Sequence, residues 1–339
     1  MTTYRQGQGY RIKSVASDPS NTQFGQIWYN STAKQIKFTG NVGGVFSSGG
    51  NLNTARWNSR ATVGTQTAGI VYAGSTATGS LMAETEEYNG TSWTEVTDMP
   101  TVTTGNGGGG IQTAAFSSGG NTPTDTRENF TFNYDGTSWT SSGDLPFISG
   151  QAAACGTQTA GVHCGGTQNP GNNKTNKTAH YDGSSWTDSG NFPINLAYHA
   201  MAGTQTAALL GMMIKFDGSS PDQTSEFFEY NGSSWSAAGN QNNTRYAGAA
   251  FGIQTAAITA GGGGAPAGHQ NKVESYDGTS FTNESTMVTG ANYVQGGGTS
   301  TVGLAFGGSG PAGSGPNQAL TRTEEWNDPS AGTRTMDVS

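Results

Sequence analysis

Few residues of this 339-residue chain belong to types that could build a metal or redox centre. A copper centre would need histidine, tyrosine and cysteine side chains held together, and zinc sites use ligands at short, regular spacings. The chain has only four histidines, which fall in different parts of the sequence without such spacing: His163, His180, His199 and His269. We therefore expect no metal site and no cofactor.

The two cysteines, Cys155 and Cys164, flank a short predicted turn. Neither cysteine faces the other in the strands on either side of that turn, and a disulfide needs Cα atoms within about 7 Å. We therefore interpret both as small buried side chains.

Acid–base and nucleophilic catalysis also lack a matching pattern. Three glutamates lie close together along one predicted strand: Glu84, Glu86 and Glu87. We interpret them as a solvated face rather than as the paired carboxylates of a glycoside hydrolase. No Ser-His-Asp order and no phosphate-binding loop occurs. The sequence therefore predicts a protein that is not an enzyme, with a carbohydrate-active enzyme as the alternative from that class.

The elements that carry these residues repeat along the chain. The phrase "YDGTSWT" at Tyr134 returns in close variants at four other tyrosines: Tyr88, Tyr181, Tyr230 and Tyr276. A second phrase, "GTQTA" or "GIQTA", keeps step with it and decays to "GTSTV" in its last copy, the copies beginning at Gly64, Gly110, Gly156, Gly203, Gly252 and Gly298. A tandem period of about 40 to 50 residues that carries glycine, tyrosine and tryptophan is typical of four-stranded propeller blades.

Each repeat predicts four antiparallel strands. "GTQT" turns the first strand into the second, and the Asp-Gly or Asn-Gly step makes the tyrosine and the tryptophan hairpin partners on strands three and four. Because successive strands alternate in direction, these two uniform turns share one face of the domain. The loops between strands two and three, and the connections from strand four to the next strand one, share the other face and vary in length and composition. A scaffold varies where it is used, so we predict that this variable face is the binding surface.

This pattern resembles the kelch repeat, which is also seen in the central domain of galactose-oxidase-like proteins. A diglycine follows strand two in three repeats, before the tyrosine and the tryptophan: Gly119-Gly120, Gly165-Gly166 and Gly307-Gly308. The resemblance implies an all-β fold with a six-bladed kelch-like β-propeller over residues 51–339, whose last strand would be "TRTMDVS". A partial seventh unit, "KFTGNVGGVFSSGGNLNTARW", precedes the six, so seven blades remain the alternative. This unit either closes the ring against the last blade or forms a separate hairpin.

Residues 1–50 are of a different kind. "QIWYN" and "KQIKFTG" alternate in the manner of an exposed β-hairpin module. With the preceding "YRIKSVASDPSN", this segment resembles short N-terminal modules on structural proteins of tailed bacteriophages. The resemblance implies a segment that attaches to other virion proteins, followed by an outward-facing propeller present in several copies in the particle. The alternative is a hairpin that caps the ring.

Charge and hydropathy exclude other classes of partner. The net charge is −8 with only 15 lysines and arginines, so the chain has no basic stripe for nucleic acid. No apolar run approaches the roughly 20 residues that cross a bilayer, and the N-terminus has no apolar segment of a secretory signal. We expect a protein that is assembled into a virion in the bacterial cytoplasm.

Candidate ligand-binding residues lie in the connections that enter the first strands of the blades. Rigid aromatic rings, amides and guanidinium groups there suit a sugar or a peptide. These candidates are Arg56, Trp57, Asn195, Tyr198, His199, Arg245, Tyr246, Asn292 and Tyr293. The alternative is that half of them fill the top of the central channel.

One variable loop is apolar where the others are polar. Its apolar residues form a candidate partner contact, or else continue strand two into the core: Met212, Met213, Ile214 and Phe216. Together these patterns predict a non-enzymatic virion protein, associated with a tail or fibre, whose propeller binds a host-surface glycan or protein. The alternative is a decoration or assembly protein of the capsid or tail, whose propeller contacts neighbouring subunits.

Overall fold

Short runs rich in alanine, glycine and β-branched or aromatic residues, separated by Asn-Gly, Asp-Gly and Gly-Gly turns, make this protein all-β. The computed structural model describes residues 12–19, 26–40, 43–61, 63–169, 173–216, 222–264, 268–310, 318–328 and 332–336. These residues contain strands, turns and bends but no helix. They form two compact units, one from the described parts of Met1–Gly44 and Asp328–Ser339 and the other from Val45–Asn327.

The first unit begins with three strands: β1 (Lys13–Val15), β2 (Ile27–Asn30) and β3 (Gln35–Gly40). β2 and β3 form an antiparallel hairpin, and β1 lies parallel to β2. The carboxylate of Asp18 accepts hydrogen bonds from the buried Trp28 indole at 3.0 Å and from Asn30 at 2.7 Å. Its second oxygen pairs with Lys37 at 2.6 Å. One side chain thus joins β2 to β3 across the hairpin.

In its described residues the second unit contains four separate four-stranded antiparallel sheets and one nine-stranded sheet, in which the short strand Arg60–Ala61 pairs in parallel with two antiparallel sets of four strands. We call each of these six sets of four strands a sheet. The unit opens with β4 (Val45–Ser48) and the short β5 (Arg60–Ala61). The first sheet is β6 (Gly64–Thr65), β7 (Ala68–Tyr72), β8 (Thr85–Tyr88) and β9 (Trp93–Val96). The second sheet is β10 (Gly107–Ile111), β11 (Ala114–Asn121), β12 (Arg127–Tyr134) and β13 (Trp139–Ser142).

The third, fourth and sixth sheets carry extra strands in their variable loops. The third comprises β14 (Ala153–Thr157), β15 (Ala160–Cys164), the loop hairpin β16 (Thr167–Gln168) and β17 (Asn173–Lys174), then β18 (Thr178–Tyr181) and β19 (Trp186–Ser189). The next strands are β20 (Asn195–Ala197), β21 (Ala200–Thr204), β22 (Ala207–Gly211), β23 (Ile214–Phe216), β24 (Asp222–Gln223), β25 (Phe228–Tyr230) and β26 (Trp235–Ala237). Of these, β21, β22, β25 and β26 form the fourth sheet, and β20, β23 and β24 form a small sheet of their own.

The last two sheets complete the second unit. The fifth is β27 (Ala249–Ile253), β28 (Ala256–Ala260), β29 (Val273–Tyr276) and β30 (Phe281–Asn283). The chain then adds β31 (Gln295–Gly298), β32 (Val302–Phe306), β33 (Ser309–Gly310), β34 (Gln318–Ala319), β35 (Thr323–Asn327) and β36 (Gly332–Met336). The sixth sheet has the order β31, β32, β35, β4, so its outer strand comes from the start of the unit.

The origin of this outer strand corrects one expectation. The C-terminal segment "TRTMDVS" was expected to end the last sheet, but β36 pairs with β3 in the first unit. In its place Phe46 of β4 lies opposite Trp326 of β35, with ring centroids 5.1 Å apart. This pair buries two aromatic rings, as the tyrosine–tryptophan pairs of the other sheets do. The partial repeat before the first sheet therefore completes the last one.

The predicted hairpin partners are confirmed. In four sheets the tyrosine of the repeated phrase lies directly opposite its tryptophan, and in the fifth Tyr276 lies opposite Phe281. The aspartate or asparagine between them accepts hydrogen bonds from the backbone amides two and three residues later, as Asp135 does at 2.8 Å from both Thr137 and Ser138. The following glycine adopts the positive φ of this turn, +93° at Gly136.

Both repeated phrases also join neighbouring sheets. The glutamine of "GTQTA" donates from Nε2 to two backbone carbonyls of the preceding sheet, as Gln158 does to Ala115 and Tyr134, both at 2.8 Å. The tryptophan indole donates to a threonine hydroxyl of the preceding sheet in four pairs: Trp93–Thr323, Trp139–Thr85, Trp186–Thr131 and Trp235–Thr178. The phrases recur because each sheet needs the same contacts to the sheet before it.

The first strands of the six sheets are made of small residues because they lie close together. They contact one another in chain order, and β31 also contacts β6. A Cβ added to Gly108 of β10 would collide with the Tyr72 hydroxyl, and one added to Gly109 would lie 2.9 Å from the Gly156 carbonyl oxygen. Only glycine permits this approach of neighbouring backbones.

Candidate ligand-binding face

The variable face is assembled by the same pairing in five sheets. The connection that enters the first strand bridges to the chain just after the second strand: Trp57 to Ser75, Thr104 to Asn121, Gly150 to Thr167, Tyr246 to Gly263 and Asn292 to Ser309. The variable loops and the inter-sheet connections therefore lie on one face, as the alternating strand directions predict.

A ring of backbone contacts lies on this face. Two residues before β5, and two residues before the first strand of each of the second to sixth sheets, stands one residue with positive φ. Together these residues define the mouth: Asn58, Gly105, Gln151, Tyr198, Ala247 and Tyr293. Three pairs of successive members are hydrogen-bonded through the backbone: Gly105 N to Asn58 O at 2.7 Å, and Tyr198 N to Gln151 O and Ala247 N to Tyr198 O, both at 3.0 Å. The ring places these side chains at equivalent positions around the inner strands.

Three of the predicted ligand-binding residues gather at the mouth. The rings of Trp57 and Tyr293 meet edge-on with centroids 5.0 Å apart, and those of Tyr198 and Tyr293 meet at 6.3 Å. All three side chains are partly exposed. The Trp57 indole is fixed by a 3.0 Å hydrogen bond to the Thr76 carbonyl. We call Trp57, Tyr198 and Tyr293 the aromatic trio.

The two tyrosines occupy positions that favour smaller residues. Their φ angles are +57° and +54°, which L-residues with bulky side chains rarely adopt. Gly105 and Asn58 meet the same requirement elsewhere in the ring at lower cost, since glycine and asparagine tolerate this region. Such backbone costs on the order of 1 kcal/mol and is concentrated at ligand-contacting sites. The fold therefore does not by itself explain tyrosine at these positions.

Two predicted ligands, Arg56 and Arg245, are instead fully buried. Arg56 pairs with Glu86 at 2.6 Å and also donates to the Ala73 and Glu84 carbonyls. Arg245 pairs with Glu274 at 3.0 Å in the same way. Burial lowers the pKa of both guanidinium groups, and the adjacent carboxylate opposes that shift. These arginines anchor the connections from inside and do not offer a charge to a ligand.

Glu86 corrects the interpretation of the glutamate cluster as a solvated face. Its side chain is fully buried and accepts hydrogen bonds from the backbone amides of Asn53, at 2.7 Å, and Thr54, at 3.1 Å. Glu87 reaches the hydroxyl of Tyr134 in the second sheet. Both carboxylates therefore hold structure together, and neither faces the other as an acid–base pair would.

The remaining predicted ligands are scattered. His199 is buried and accepts a hydrogen bond at Nε2 from the Ala153 amide at 3.2 Å. Asn195 is exposed at the start of β20. Tyr246 and Asn292 are partly exposed in their bridges, and the Tyr246 ring covers Gly263 closely enough to exclude a Cβ there. His199 and Tyr293 line the same small cavity.

The apolar loop of the fourth sheet divides into two parts. Met212 and Met213 are fully buried core residues and do not present a surface to a partner. Ile214 and Phe216 are partly buried in β23, where Lys174 Nζ lies 4.4 Å from the centroid of the Phe216 ring. Strand two ends at Gly211 and Met212 follows it in a bend with φ of +51°, so both methionines enter the core after the strand rather than as its continuation.

Groups that could do metal or thiol chemistry are kept apart in the described residues. No cluster of three His, Cys, Asp or Glu side chains with metal-binding geometry occurs there. Both cysteines are free and buried, and burial raises the pKa of both thiols. Within the same residues, no helix is long and apolar enough to cross a membrane.

The sequence did not reveal two features of this face. The positive-φ ring was missed because the mouth residues share a conformation but not a residue type. The second feature is a pair of threonine-rich hairpins, residues 76–80 and 122–126, for which the sequence predicted variable loops but not hairpins. The signal that could have found them is the same spacing of hydroxyl residues in both, at Thr76, Thr78 and Ser80 and at Thr122, Thr124 and Thr126.

Comparison with known proteins supports the fold and goes no further. A solved structure entitled "Structure of YjhT" is similar to this chain with a TM-score of 0.63 and 13% sequence identity, over 85% of this chain and 100% of that chain. At this identity the likeness concerns the fold alone, and with the four-stranded antiparallel sheets it supports a β-propeller. No protein-family model matches the chain, and no curated protein matches it.

Proposed function

We propose that the second unit is a six-bladed propeller that binds a host-surface glycan or protein on its variable face and catalyses no reaction. Six four-stranded sheets, the contact of β31 with β6 and the completion of the sixth sheet by β4 support six blades in a closed ring. A seventh blade would need four further strands in the same unit, and its described strands outside the six sheets occur only in pairs, in a set of three or singly.

The aromatic trio is the observation that carries the binding proposal. It places rigid, partly exposed rings at the mouth, and two of them stand where the backbone favours glycine or asparagine. Aromatic side chains of fixed orientation are the usual anchors of sugar and protein ligands. The buried and paired carboxylates, in contrast, offer no acid–base pair, which favours binding over hydrolysis.

The virion context rests on the resemblance of residues 1–50 to phage attachment modules. We propose that the first unit contacts other virion proteins and that several copies are present in the particle. This unit is compact by itself, with β3 paired to β36, as a separate attachment module would be. In this arrangement the propeller would be presented on a tail or fibre.

The test replaces both tyrosines by the residue that stands at Asn58. Tyr198→Asn combined with Tyr293→Asn removes two rings of the trio and keeps a residue that tolerates positive φ. The matched control is Ile111→Thr on the uniform face, because threonine occupies the equivalent position in other copies of the "GTQTA" turn. Both proteins are compared with the wild type on a glycan array and for binding to host cells.

We expect the double variant to lose binding by at least about tenfold while Ile111→Thr retains it. Equal binding by the wild type and the double variant would contradict the proposal. Images of assembled particles in which neighbouring subunits cover the aromatic trio would instead support a decoration or assembly protein. Turnover of a glycan by the wild type would establish an enzyme.

A further inference from the structure

The variable face carries a groove between the first and second sheets, beside the aromatic trio but separate from it. Its volume is about 260 Å³, close to the lower end of ordinary small-molecule sites. Ser80 and Leu81 line one wall, Thr122, Pro123 and Asp125 line the other, and Thr104 lies between them. The groove thus combines hydroxyl groups, one carboxylate and two apolar side chains.

Two hairpins of the same design form its walls. The turn at residues 76–80 is closed by a backbone hydrogen bond from Thr76 N to Ser80 O, at 2.9 Å. The turn at residues 122–126 has the same bond, from Thr122 N to Thr126 O, also at 2.9 Å. Hydroxyl groups follow each hairpin in contact with one another, with Oγ1 atoms of Thr124 and Thr126 3.0 Å apart. Of these hairpin hydroxyl groups, those of Ser80 and Thr122 belong to residues that line the groove, and each can both donate and accept a hydrogen bond.

The two hairpins differ at the residue that turns them. Gly79 and Asp125 occupy the same position with φ of +85° and +58°. Glycine is the less strained choice there, so aspartate adds a carboxylate where the turn does not require one. The largely buried Arg127 holds this residue in place, since its Nη1 donates to the Asp125 carbonyl at 2.5 Å and pairs with the carboxylate at 2.9 Å.

We propose that this groove binds one neutral sugar residue of a glycan. A fixed carboxylate can accept hydrogen bonds from two neighbouring hydroxyl groups, and the threonine and serine hydroxyls can bond the remainder. Leu81 and Pro123 provide apolar contact for the C–H face of a pyranose. Thr104, itself buried and hydrogen-bonded to the Asn58 carbonyl at 3.1 Å, fixes the floor of the groove. Arg127 already pairs with Asp125, so the groove has no free positive charge to attract an anionic sugar, and the proposal specifies a neutral one.

The experiment uses ligand-observed saturation-transfer NMR on the full chain. The probes are methyl glycosides of glucose, galactose, mannose and N-acetylglucosamine at about 10 mM, because a single sugar with few contacts binds weakly. The key variant is Asp125→Gly, which copies Gly79 and keeps the turn; Asp125→Asn removes the charge alone. The matched control is Asp188→Asn, which removes an exposed carboxylate from the outer strand β19.

We expect saturation transfer to at least one glycoside, weakened about tenfold or more by either Asp125 substitution and unchanged by Asp188→Asn. The Tyr198 and Tyr293 substitutions should also leave it unchanged, so failure of the groove and failure of the mouth can be told apart. Absence of transfer to all four glycosides would overturn the proposal. Transfer that survives loss of Asp125, or preference for a peptide probe that depends on Asp125, would overturn it as well.

Discussion

Gln66 Nε2 donates a hydrogen bond to the carbonyl oxygen of Trp326, 2.9 Å away and 260 residues later in the chain. The same nitrogen lies 3.3 Å from the Gly303 carbonyl oxygen, so one amide joins the first sheet to two strands of the sixth. Four other glutamines make the corresponding bonds between consecutive sheets: Gln112, Gln158, Gln205 and Gln254. The contact that links neighbours therefore also links the two ends of the series.

The sixth copy of the turn lacks this contact, because Ser300 stands where the others have glutamine. Its loop has the same length, and the carbonyls that a glutamine would reach are those of Ala257 and Tyr276 in the fifth sheet. We predict that Ser300→Gln raises the free energy of unfolding by about 1 kcal/mol, the usual net value of a hydrogen bond. Equilibrium urea denaturation measures the change.

Gln158→Ser serves as the reciprocal control, since it removes an existing pair of bonds and should destabilise the protein by about 1 to 2 kcal/mol. If Ser300→Gln has no effect while Gln158→Ser destabilises, the fifth and sixth sheets do not meet in the way that the other neighbours do.

The buried ion pair of Arg56 and Glu86 leads to a second prediction. Removing one partner of a buried pair leaves the other charge uncompensated and typically costs about 3 to 5 kcal/mol. Glu86 also accepts hydrogen bonds from two backbone amides, and replacing Glu86 removes both of them. When Arg56 is replaced instead, Glu86 keeps these two bonds. We therefore expect Glu86→Leu to destabilise the protein more than Arg56→Leu.

Lys215→Leu is the control for this comparison, because Lys215 pairs with Glu226 at 3.3 Å in a partly exposed position. Exposed pairs contribute at most about 1 kcal/mol. Urea denaturation of the three variants should rank them Glu86→Leu, Arg56→Leu, Lys215→Leu, from most to least destabilised. A cost for Glu86→Leu no larger than that for Lys215→Leu would mean that Glu86 is solvated after all.

The contacts that the sequence predicted correctly are local. A Tyr–Trp hairpin pair needs only the Asp-Gly or Asn-Gly turn between its members, so seven residues specify it. The glutamine contacts could not be predicted in this way, because in four of the five cases one acceptor lies 24 residues earlier and the other 43 to 46 residues earlier, and both depend on how adjacent sheets pack. Likewise, alternation alone could not place Glu86, since its burial depends on Arg56 from the preceding connection.

The candidate site was predicted only in part, for a similar reason. Trp57, Tyr198 and Tyr293 meet because the connections converge on the mouth, which the repeat pattern implies. The same connections also hold Arg56 and Arg245, whose long side chains turn inward to buried glutamates two strands away. The two arginines lie two residues before the residue with positive φ, whereas Tyr198 and Tyr293 occupy that position and Trp57 lies one residue before it. The sequence alone did not show which of these positions turns inward, because that depends on the buried glutamate that faces each arginine from strand three.

His163 leads to a prediction on pH. The ring is fully buried between the hydroxyls of Ser118, 2.9 Å from Nδ1, and Ser149, 3.0 Å from Nε2. Burial lowers its pKa from 6.5 to about 3. Below pH 6.5 the unfolded chain therefore binds a proton that the folded protein does not bind, which favours unfolding. The contribution of the neutral His163 ring to the free energy of unfolding is complete above pH 6.5 and is lost as the pH falls towards 3.

The loss should reach on the order of a few kcal/mol by pH 4. His163→Gln, which has no titrating group, should show a smaller decrease in unfolding free energy between pH 7 and pH 4 than the wild type. Urea denaturation at a series of pH values measures both slopes, and the difference between them isolates His163 from other titrating groups. Parallel slopes would show that the buried imidazole does not control acid stability.

One hairpin replaces tryptophan by phenylalanine, and the sheet before it changes to match. Where the other sheets pair a tryptophan indole with a threonine hydroxyl, Phe281 contacts Phe227, with ring centroids 4.5 Å apart. Phe227 is almost fully buried, and its ring occupies the space that a Cβ on Gly211 would need. A polar Trp–Thr pair is thus replaced by an apolar Phe–Phe pair through a change at both positions. The bulk of Phe227 also explains why strand two has glycine at Gly211.

We predict that Phe281→Trp alone destabilises the protein by about 1 to 3 kcal/mol, because the indole N–H would be buried against Phe227 without an acceptor. Adding Phe227→Thr supplies the hydroxyl found in the other sheets and should restore at least half of that loss, although the smaller threonine leaves some space beside Gly211.

The control is Phe227→Thr alone, which removes apolar contact and offers no indole to its hydroxyl, and should also destabilise the protein. Thermal or urea unfolding of the two single variants and the double variant forms a double-mutant cycle. We expect a favourable coupling energy above about 1 kcal/mol between positions 227 and 281. A coupling energy near zero would mean that these two positions do not interact across the neighbouring sheets.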